Sequence, residues 1–198
     1  MSIKLIAETL KDDNKNAILA LQNGDYDTAL SYFARSRDIE QKLNLDVNMA
    51  RTDVNISNIF YLKNKIGEAH AVLSEALELF EKNSKTEEYD KAKYLQAQFY
   101  VKEQKFHDAE VNIRNILMKN TEQSLKADAY VLLFSLVSKK EPTYKVLDYL
   151  KKASDIFLKL KDKKKLAYCI ELKAKYYESI NRKDLAFIER SRLSQSSL

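Results

Sequence analysis

The side chains best suited to chemistry in this sequence are two histidines, His70 and His107, and one cysteine, Cys169. An enzyme needs several such groups to converge on one point. The two histidines fall on the second helices of different repeats, as described below, which predicts surface residues. Cys169 stands among apolar residues, a setting typical of a buried and inert thiol. The sequence therefore predicts no catalytic site and a protein that is not an enzyme.

The sequence also lacks the usual motifs for binding a metal ion or a phosphate group. No pair of cysteines or histidines has the spacing of a zinc site, and no glycine-rich loop is available to hold a phosphate. The acidic stretch TEEYD at 86–90 fits the first turn of a helix, because carboxylates there face the positive end of the helix dipole. We therefore predict no metal and no cofactor.

The composition favours an all-α protein. With only 2 Gly and 1 Pro in 198 residues, there is little turn chemistry for β-hairpins, whereas Ala, Leu, Lys, Glu and Ile are plentiful. A single cysteine cannot form an internal disulfide, and the first apolar stretch is too short for a signal peptide or a membrane span. We expect a soluble, cytoplasmic protein with no membrane partner.

An internal repeat organises nearly the whole chain. One set of positions, spaced 38 to 40 residues apart, and a second set 12 residues before it are small in nine of ten cases. A constant interval between two small residues predicts a helix–turn–helix whose backbones pack closely at those points. The later set is Ala29, Ala69, Ala109, Leu147 and Ala186, and the earlier set is Ala17, Ser57, Ala97, Ser135 and Ala174.

The turn of each hairpin has its own signature. Five residues before the second small position stands a helix-ending residue, Gly24, Asn64, Pro142 or Asn181, with Gln104 as the exception. Two residues after it, we expect a large apolar side chain to fill the space beneath the turn in four hairpins, namely Tyr26, Ile66, Phe106 and Tyr144. The prediction is one domain over 1–198, with five repeats at about 3–43, 45–82, 87–120, 124–160 and 163–193.

This set of small, turn and aromatic positions resembles the tetratricopeptide repeat (TPR) family. The resemblance implies a right-handed superhelical solenoid of about five antiparallel helix pairs, in which the first helix of each pair lines a concave groove that binds peptides or proteins. The long period is similar to that of repeats in bacterial peptide-pheromone receptors and kinesin light chains. The sequence departs from the family at Asp13, Asp53 and Lys93, where a bulky residue is usual.

The groove residues follow from helical spacing, since side chains three and four positions apart share a face. Amides, cations and a tyrosine on neighbouring first helices suit the backbone of an extended peptide. Asn55 and Asn58 are the strongest candidates, but only Asn55 and Lys91 match the family's carboxylate-binding set, so no carboxylate clamp is predicted. The candidates are Arg51, Asn55, Asn58, Leu62, Lys91, Tyr94, Gln98, Lys102, Leu132, Leu136, Tyr168, Glu171 and Lys175, with Ala129 beside them.

The sequence thus predicts a non-enzymatic scaffold or sensor whose partner is a protein or a peptide. One alternative is a self-assembling oligomer, such as a homodimer, that pairs through the groove or through an apolar patch at Phe187 and Ile188. Nucleic-acid binding is less favoured. The chain has 12 tyrosines and a basic C-terminal half, but its lysines are interrupted by Asp155, Asp162 and Glu171.

Overall fold

The computed structural model describes residues 3–140 and 143–195. Within these ranges the chain forms ten α-helices, one 3₁₀ turn and no β-strand, so the all-α class predicted from the sequence is confirmed. The elements are α1 (Ile3–Gln22), α2 (Tyr26–Lys42), α3 (Asp46–Leu62), α4 (Ile66–Lys82), α5 (Thr86–Lys102), α6 (Phe106–Met118), α7 (Gln123–Val137), the 3₁₀ turn (Tyr144–Val146), α8 (Leu147–Lys159), α9 (Lys163–Ser179) and α10 (Lys183–Gln195).

The chain divides into two compact units, Met1–Phe99 and Tyr100–Leu198. The boundary falls within α5, which begins in the first unit and ends in the second. The single domain expected over 1–198 stays a prediction.

In the first unit, each helix ends at a tight turn that contains one left-handed residue. These residues recur every 20 positions, at Gly24, Asn44, Asn64 and Ser84, with φ angles of 76°, 53°, 61° and 55°. In the turn after α3, the Lys65 N–H donates to the Phe60 carbonyl at 2.8 Å, which satisfies a carbonyl left open at the helix end. The chain reverses within a few residues, so consecutive helices pack as antiparallel hairpins.

The small residues of the first unit lie where the hairpin helices touch. Ala17 and Ala29 in the first hairpin, and Ser57 and Ala69 in the second, are fully buried. The Ser57 hydroxyl donates a hydrogen bond of 2.8 Å to the Ala69 carbonyl, which joins α3 to α4. Ala97 on α5 is also fully buried. The predicted contact positions are confirmed in this unit.

Two buried carboxylates explain why the first unit departs from the family pattern. Asp13 on α1 accepts hydrogen bonds from Arg35 on α2, including one of 2.6 Å from Nε. Asp53 on α3 is held in the same way by Arg37, also on α2. Both aspartates are fully buried. Ion pairs between adjacent helices thus occupy the places where a bulky apolar residue is usual.

In the second unit the same register holds for the hairpin of α9 and α10. Ala109, Ala174 and Ala186 are buried. Gln104, the exception in the sequence pattern, adopts the left-handed conformation with a φ of 62°, and Lys161 and Asn181 do the same at the later turns. Pro142 lies outside the described residues.

The register predicted for the fourth hairpin is wrong by one residue. Ser135 is exposed and its hydroxyl bonds to the Val131 carbonyl of its own helix. The buried pair is instead Phe134 and Val146, again 12 residues apart. Val146 ends the 3₁₀ turn before α8, and the 3.0-residue period of that turn shifts the inward-facing position from Leu147 to Val146.

The large apolar residues after the turns fill the hairpins only in the first unit. Tyr26 and Ile66 are half-buried there. Phe106 and Tyr144 in the second unit are exposed, so the prediction is wrong for these two residues.

Candidate functional site

The predicted site residues of α3 lie on one face of that helix. Arg51, Asn55, Asn58 and Leu62 are spaced by four, three and four positions, which keeps their side chains aligned along the helix. Arg51 and Leu62 are exposed, and the two asparagines between them are half-buried. The face therefore has a solvent-exposed cation at one end, two amides at its centre and an apolar side chain at the other end.

The amide groups at the centre of this face are open to a ligand. No side-chain hydrogen bond joins Asn55 or Asn58 to another residue in the described part of the chain. Each amide offers two N–H donors and one carbonyl acceptor, the groups that an extended peptide backbone requires. Half-burial makes such hydrogen bonds stronger than at a fully wet surface.

The face of α5 stands next to that of α3. Arg51 forms an ion pair with Glu88 on α5, and the hydrogen bond from Arg51 lowers the pKa of the Glu88 carboxyl. Lys91 and Gln98 are exposed, and Tyr94 is half-buried. Polar groups of two adjacent helices of the first unit are thereby brought together.

An aromatic contact fixes α3 against α5. The rings of Tyr61 and Phe99 are stacked, with centroids 3.9 Å apart, and the Tyr61 hydroxyl donates to the Phe99 carbonyl at 3.0 Å. The ring of His70, on α4, meets Phe99 edge-on at 5.7 Å. These contacts hold the two faces in a fixed relation, which reduces the ordering cost of binding a ligand across them.

The predicted site residues of the second unit differ from one another in exposure. Lys102, Tyr168 and Lys175 are exposed, and Leu132 is half-buried. Leu136 is 5% exposed and packs in the interior, as does the fully buried Ala129, so neither presents a side chain to a partner. The prediction for α7 is wrong at these residues because it used the register of the fourth hairpin that differs by one residue from the structure.

Glu171 has a partner within its own unit. Both of its carboxylate oxygens accept hydrogen bonds of 3.0 Å from Arg190 on α10, which also contacts Glu178. The Arg190 guanidinium lowers the pKa of the Glu171 carboxyl. This side chain therefore ties α9 to α10, and a ligand would have to compete with Arg190 for it.

The groups singled out for chemistry lie on three different helices, α4, α6 and α9. Cys169 is buried, and burial raises the pKa of its thiol to about 11, so the reactive thiolate is scarce at neutral pH. His107 is exposed, as predicted, whereas His70 is half-buried against Phe99. Among the described residues no group of three or more His, Cys, Asp or Glu side chains could hold a metal ion. None of the described helices combines the length and apolar character needed to cross a bilayer.

Two cations on α1 stand at the positions that correspond to site residues of α3 and were not predicted. Lys11 and Lys15 on α1 lie 40 residues before Arg51 and Asn55, and both are exposed. Glu88, which neutralises Arg51, was not predicted either. The 40-residue period could have found the two lysines, because it maps each position of α3 onto α1.

Helical hairpins joined by tight turns, with small residues at their contacts, define an all-α repeat protein. Residues 6–82 match the family model described as Tetratricopeptide repeat. A search of curated proteins found no match to this sequence.

Solved structures support the same fold over most of the chain. A protein of nearly identical TPR-like repeats from Podosopora anserina is 14% identical, with a TM-score of 0.70, covering 95% of this chain and 97% of that chain. BtubC (BKLC) from P. vanneervenii is 15% identical, with a TM-score of 0.74, covering 99% and 92%.

MamA (residues 41 to the end) from Desulfovibrio magneticus RS-1 is 15% identical, with a TM-score of 0.63, covering 96% and 98%. At these identities the likeness concerns the fold alone. Residues 6–82 match the tetratricopeptide-repeat model, and the likeness to the solved structures shows a TPR-like fold for the chain.

Proposed function

We propose that this protein is a non-enzymatic scaffold or sensor that binds an extended peptide segment on the adjoining faces of α3 and α5. The observation that carries the proposal is the pair of half-buried asparagine amides, Asn55 and Asn58, which have no side-chain partner among the described residues. A peptide that leaves water needs donors and acceptors for its backbone, and these amides supply both.

The neighbouring residues fit the same role. Lys91 and Gln98 offer further polar groups on α5, while Leu62 supplies an apolar contact at the end of α3. In the second unit we propose the exposed residues Lys102, Tyr168 and Lys175 as further partner-binding residues. We also propose that the protein acts in the cytoplasm.

The proposal can be tested with peptides selected by binding to the wild-type protein from a random peptide library. The dissociation constant of the selected peptide is then measured by fluorescence polarisation for wild type and for the double variant Asn55→Ala/Asn58→Ala. Loss of two amide contacts should weaken binding by about tenfold or more. Asn115→Ala, which removes an exposed amide from α6, serves as the matched control and should bind like wild type. Equal affinity for all three proteins would disprove the assignment.

Self-assembly is a second candidate function, favoured by one observation on α10. Phe187 is 75% exposed and stands beside Ile188, which is also exposed. Adjacent exposed apolar side chains are typical of an interaction surface. If two chains pair through α10, light scattering should show a larger mass at high protein concentration for wild type but not for Phe187→Ser. Leu158→Ser, at another exposed apolar residue, is the control.

A further inference from the structure

A cavity of about 440 Å³ lies in the first unit among α2, α3 and α4. This volume falls within the range typical of small-ligand pockets. Its wall is mainly apolar, but Arg37, Asp38, Gln41 and Asp53 also line it, and Asp53 is fully buried. The apolar lining consists of Leu30, Ala34, Ile56, Phe60 and Val72.

The cavity lies on the opposite side of α3 from the proposed peptide site. At 3.6 residues per turn, Asp53, Ile56 and Phe60 point about half a turn away from the stripe that contains Asn55 and Asn58. A ligand in the cavity and a peptide on the other face would therefore use different side chains. The inference below stands or falls independently of the proposed function.

The Asp53 carboxylate has one oxygen without a partner. Oδ1 accepts the hydrogen bond from the Arg37 Nε, whereas Oδ2 is buried and has no hydrogen-bond partner. The residue as a whole is fully buried. A buried carboxylate oxygen without a donor is costly, because desolvation is not compensated. A ligand that brings a donor to Oδ2 would relieve that cost.

The charges around the cavity favour a cationic ligand. Arg37 is shared between Asp53 and Glu75, and Asp38 at the cavity rim is paired with Lys42. Glu40, a further buried carboxyl, feels the charge of Asp53 but is not part of the cavity wall. Among the residues that line the cavity, the two acids Asp38 and Asp53 outnumber the single cation Arg37. The local excess of negative charge attracts a cation and repels an anion.

We propose that this cavity binds a lysine side chain of a partner protein, with its ammonium group at Asp53 Oδ2 and its aliphatic stem against Leu30, Ile56 and Val72. A guanidinium fits less well, because its paired donors require both carboxylate oxygens and Oδ1 is already bonded to Arg37. An ammonium needs a single acceptor, and a four-carbon stem buries favourably along an apolar wall. Asp38 and Gln41, exposed at the rim, can accept and donate hydrogen bonds to the partner's backbone.

The test follows the methyl signals of Leu30, Ile56 and Val72 by NMR while the full chain is titrated with Nα-acetyl-lysine methylamide. We expect these methyl groups to shift in a saturable manner. The same probe with an acetylated Nε has no charge and should bind at least about tenfold more weakly, because the ammonium is lost. Putrescine, a free diamine, tests the alternative source of an alkylammonium group.

Two variants identify the receptor group. Asp53→Asn should weaken the lysine probe by about tenfold or more, whereas Asp46→Asn, an acid on the same helix outside the cavity, should leave binding unchanged. If Asp53→Asn does not fold, Val72→Phe fills the cavity and leaves the carboxylate in place, and it should abolish the shifts. Absence of shifts, equal shifts from the acetylated probe, or full binding by the variant that folds would each overturn the proposal. Tighter binding of putrescine would overturn the assignment to a protein lysine.

Discussion

At the scale of single residues, Ala69 shows how little space the hairpin contacts leave. It is fully buried, and its carbonyl accepts the Ser57 hydroxyl across the α3–α4 contact. Replacement by Glu puts a charge and four further heavy atoms where no room exists, which should lower the free energy of unfolding by about 3 kcal/mol or more. The measurement is urea unfolding followed by circular dichroism.

The matched comparison for this variant is the neighbouring His70→Ala. His70 gives up one edge-on ring contact with Phe99, so we expect a loss of less than about 1 kcal/mol. The sequence predicts a surface residue at His70, whereas the structure half-buries its ring against Phe99. Equal unfolding midpoints for the two variants would contradict the hairpin register.

Glu40 carries a pH dependence that can be measured. It is 2% exposed, and burial raises the pKa of its carboxyl above the ordinary value, partly opposed by a hydrogen bond with Thr52. The folded protein therefore holds the Glu40 proton more tightly than the unfolded chain. Glu40 contributes most to stability below its ordinary pKa, and that contribution is lost as the pH rises through the raised value.

Glu40→Gln removes this loss while keeping an acceptor for Thr52. The variant should have a higher free energy of unfolding than wild type at neutral pH, and the difference should shrink in acid. Glu78→Gln, an exposed change on α4, is the control and should show no such trend. A difference that grows in acid would show that the sign of the shift in the Glu40 pKa is wrong. Asp53, whose pKa burial also raises, contributes in the same direction.

At the scale of elements, the left-handed turn residues decide where each helix ends. Gln104 has a φ of 62°, a conformation that costs about 1–2 kcal/mol for a residue with a Cβ. Gln104→Gly should therefore raise the free energy of unfolding by about 1 kcal/mol. The same change within α5, Gln98→Gly, should lower it by about 1 kcal/mol, because glycine is unfavourable inside a helix. Both changes are measured by chemical denaturation, and changes of the same sign would contradict the turn assignment.

The elements also show what the sequence could and could not predict. The hairpins of the first unit followed from Ala17, Ser57 and their partners, because small residues and turn residues are local signals. The positions that face inward in the fourth hairpin could not be predicted in this way. They depend on the 3₁₀ turn before α8, and the sequence around Leu147 does not indicate that turn. The stripe on α3 was predicted from helical spacing. The Arg51–Glu88 ion pair was not, because it joins residues 37 positions apart.

At the scale of the whole molecule, charge is unevenly distributed along the chain. The first unit has 13 Lys and Arg against 16 Asp and Glu, and the second has 21 against 13. Many cations of the second unit are paired with acids of the same unit. Examples are Arg114 with Glu110 at 2.7 Å, Lys165 with Asp128 at 2.7 Å, and Arg190 with Glu171 at 3.0 Å. The number of Lys and Arg residues therefore overstates the positive surface available to a polyanion.

This pairing gives a prediction about nucleic acid. Non-specific binding depends on cations that can neutralise phosphates, and it weakens steeply as salt rises. We expect a random single-stranded RNA to show no gel shift at physiological salt and a weak one only at low salt. The control is the charge-reversal variant Glu110→Lys/Glu171→Lys, which removes one acidic partner each from Arg114 and Arg190, adds two cations and should bind more strongly. Tight binding by wild type with a steep salt dependence would favour a nucleic-acid role over the peptide-binding role proposed for α3 and α5.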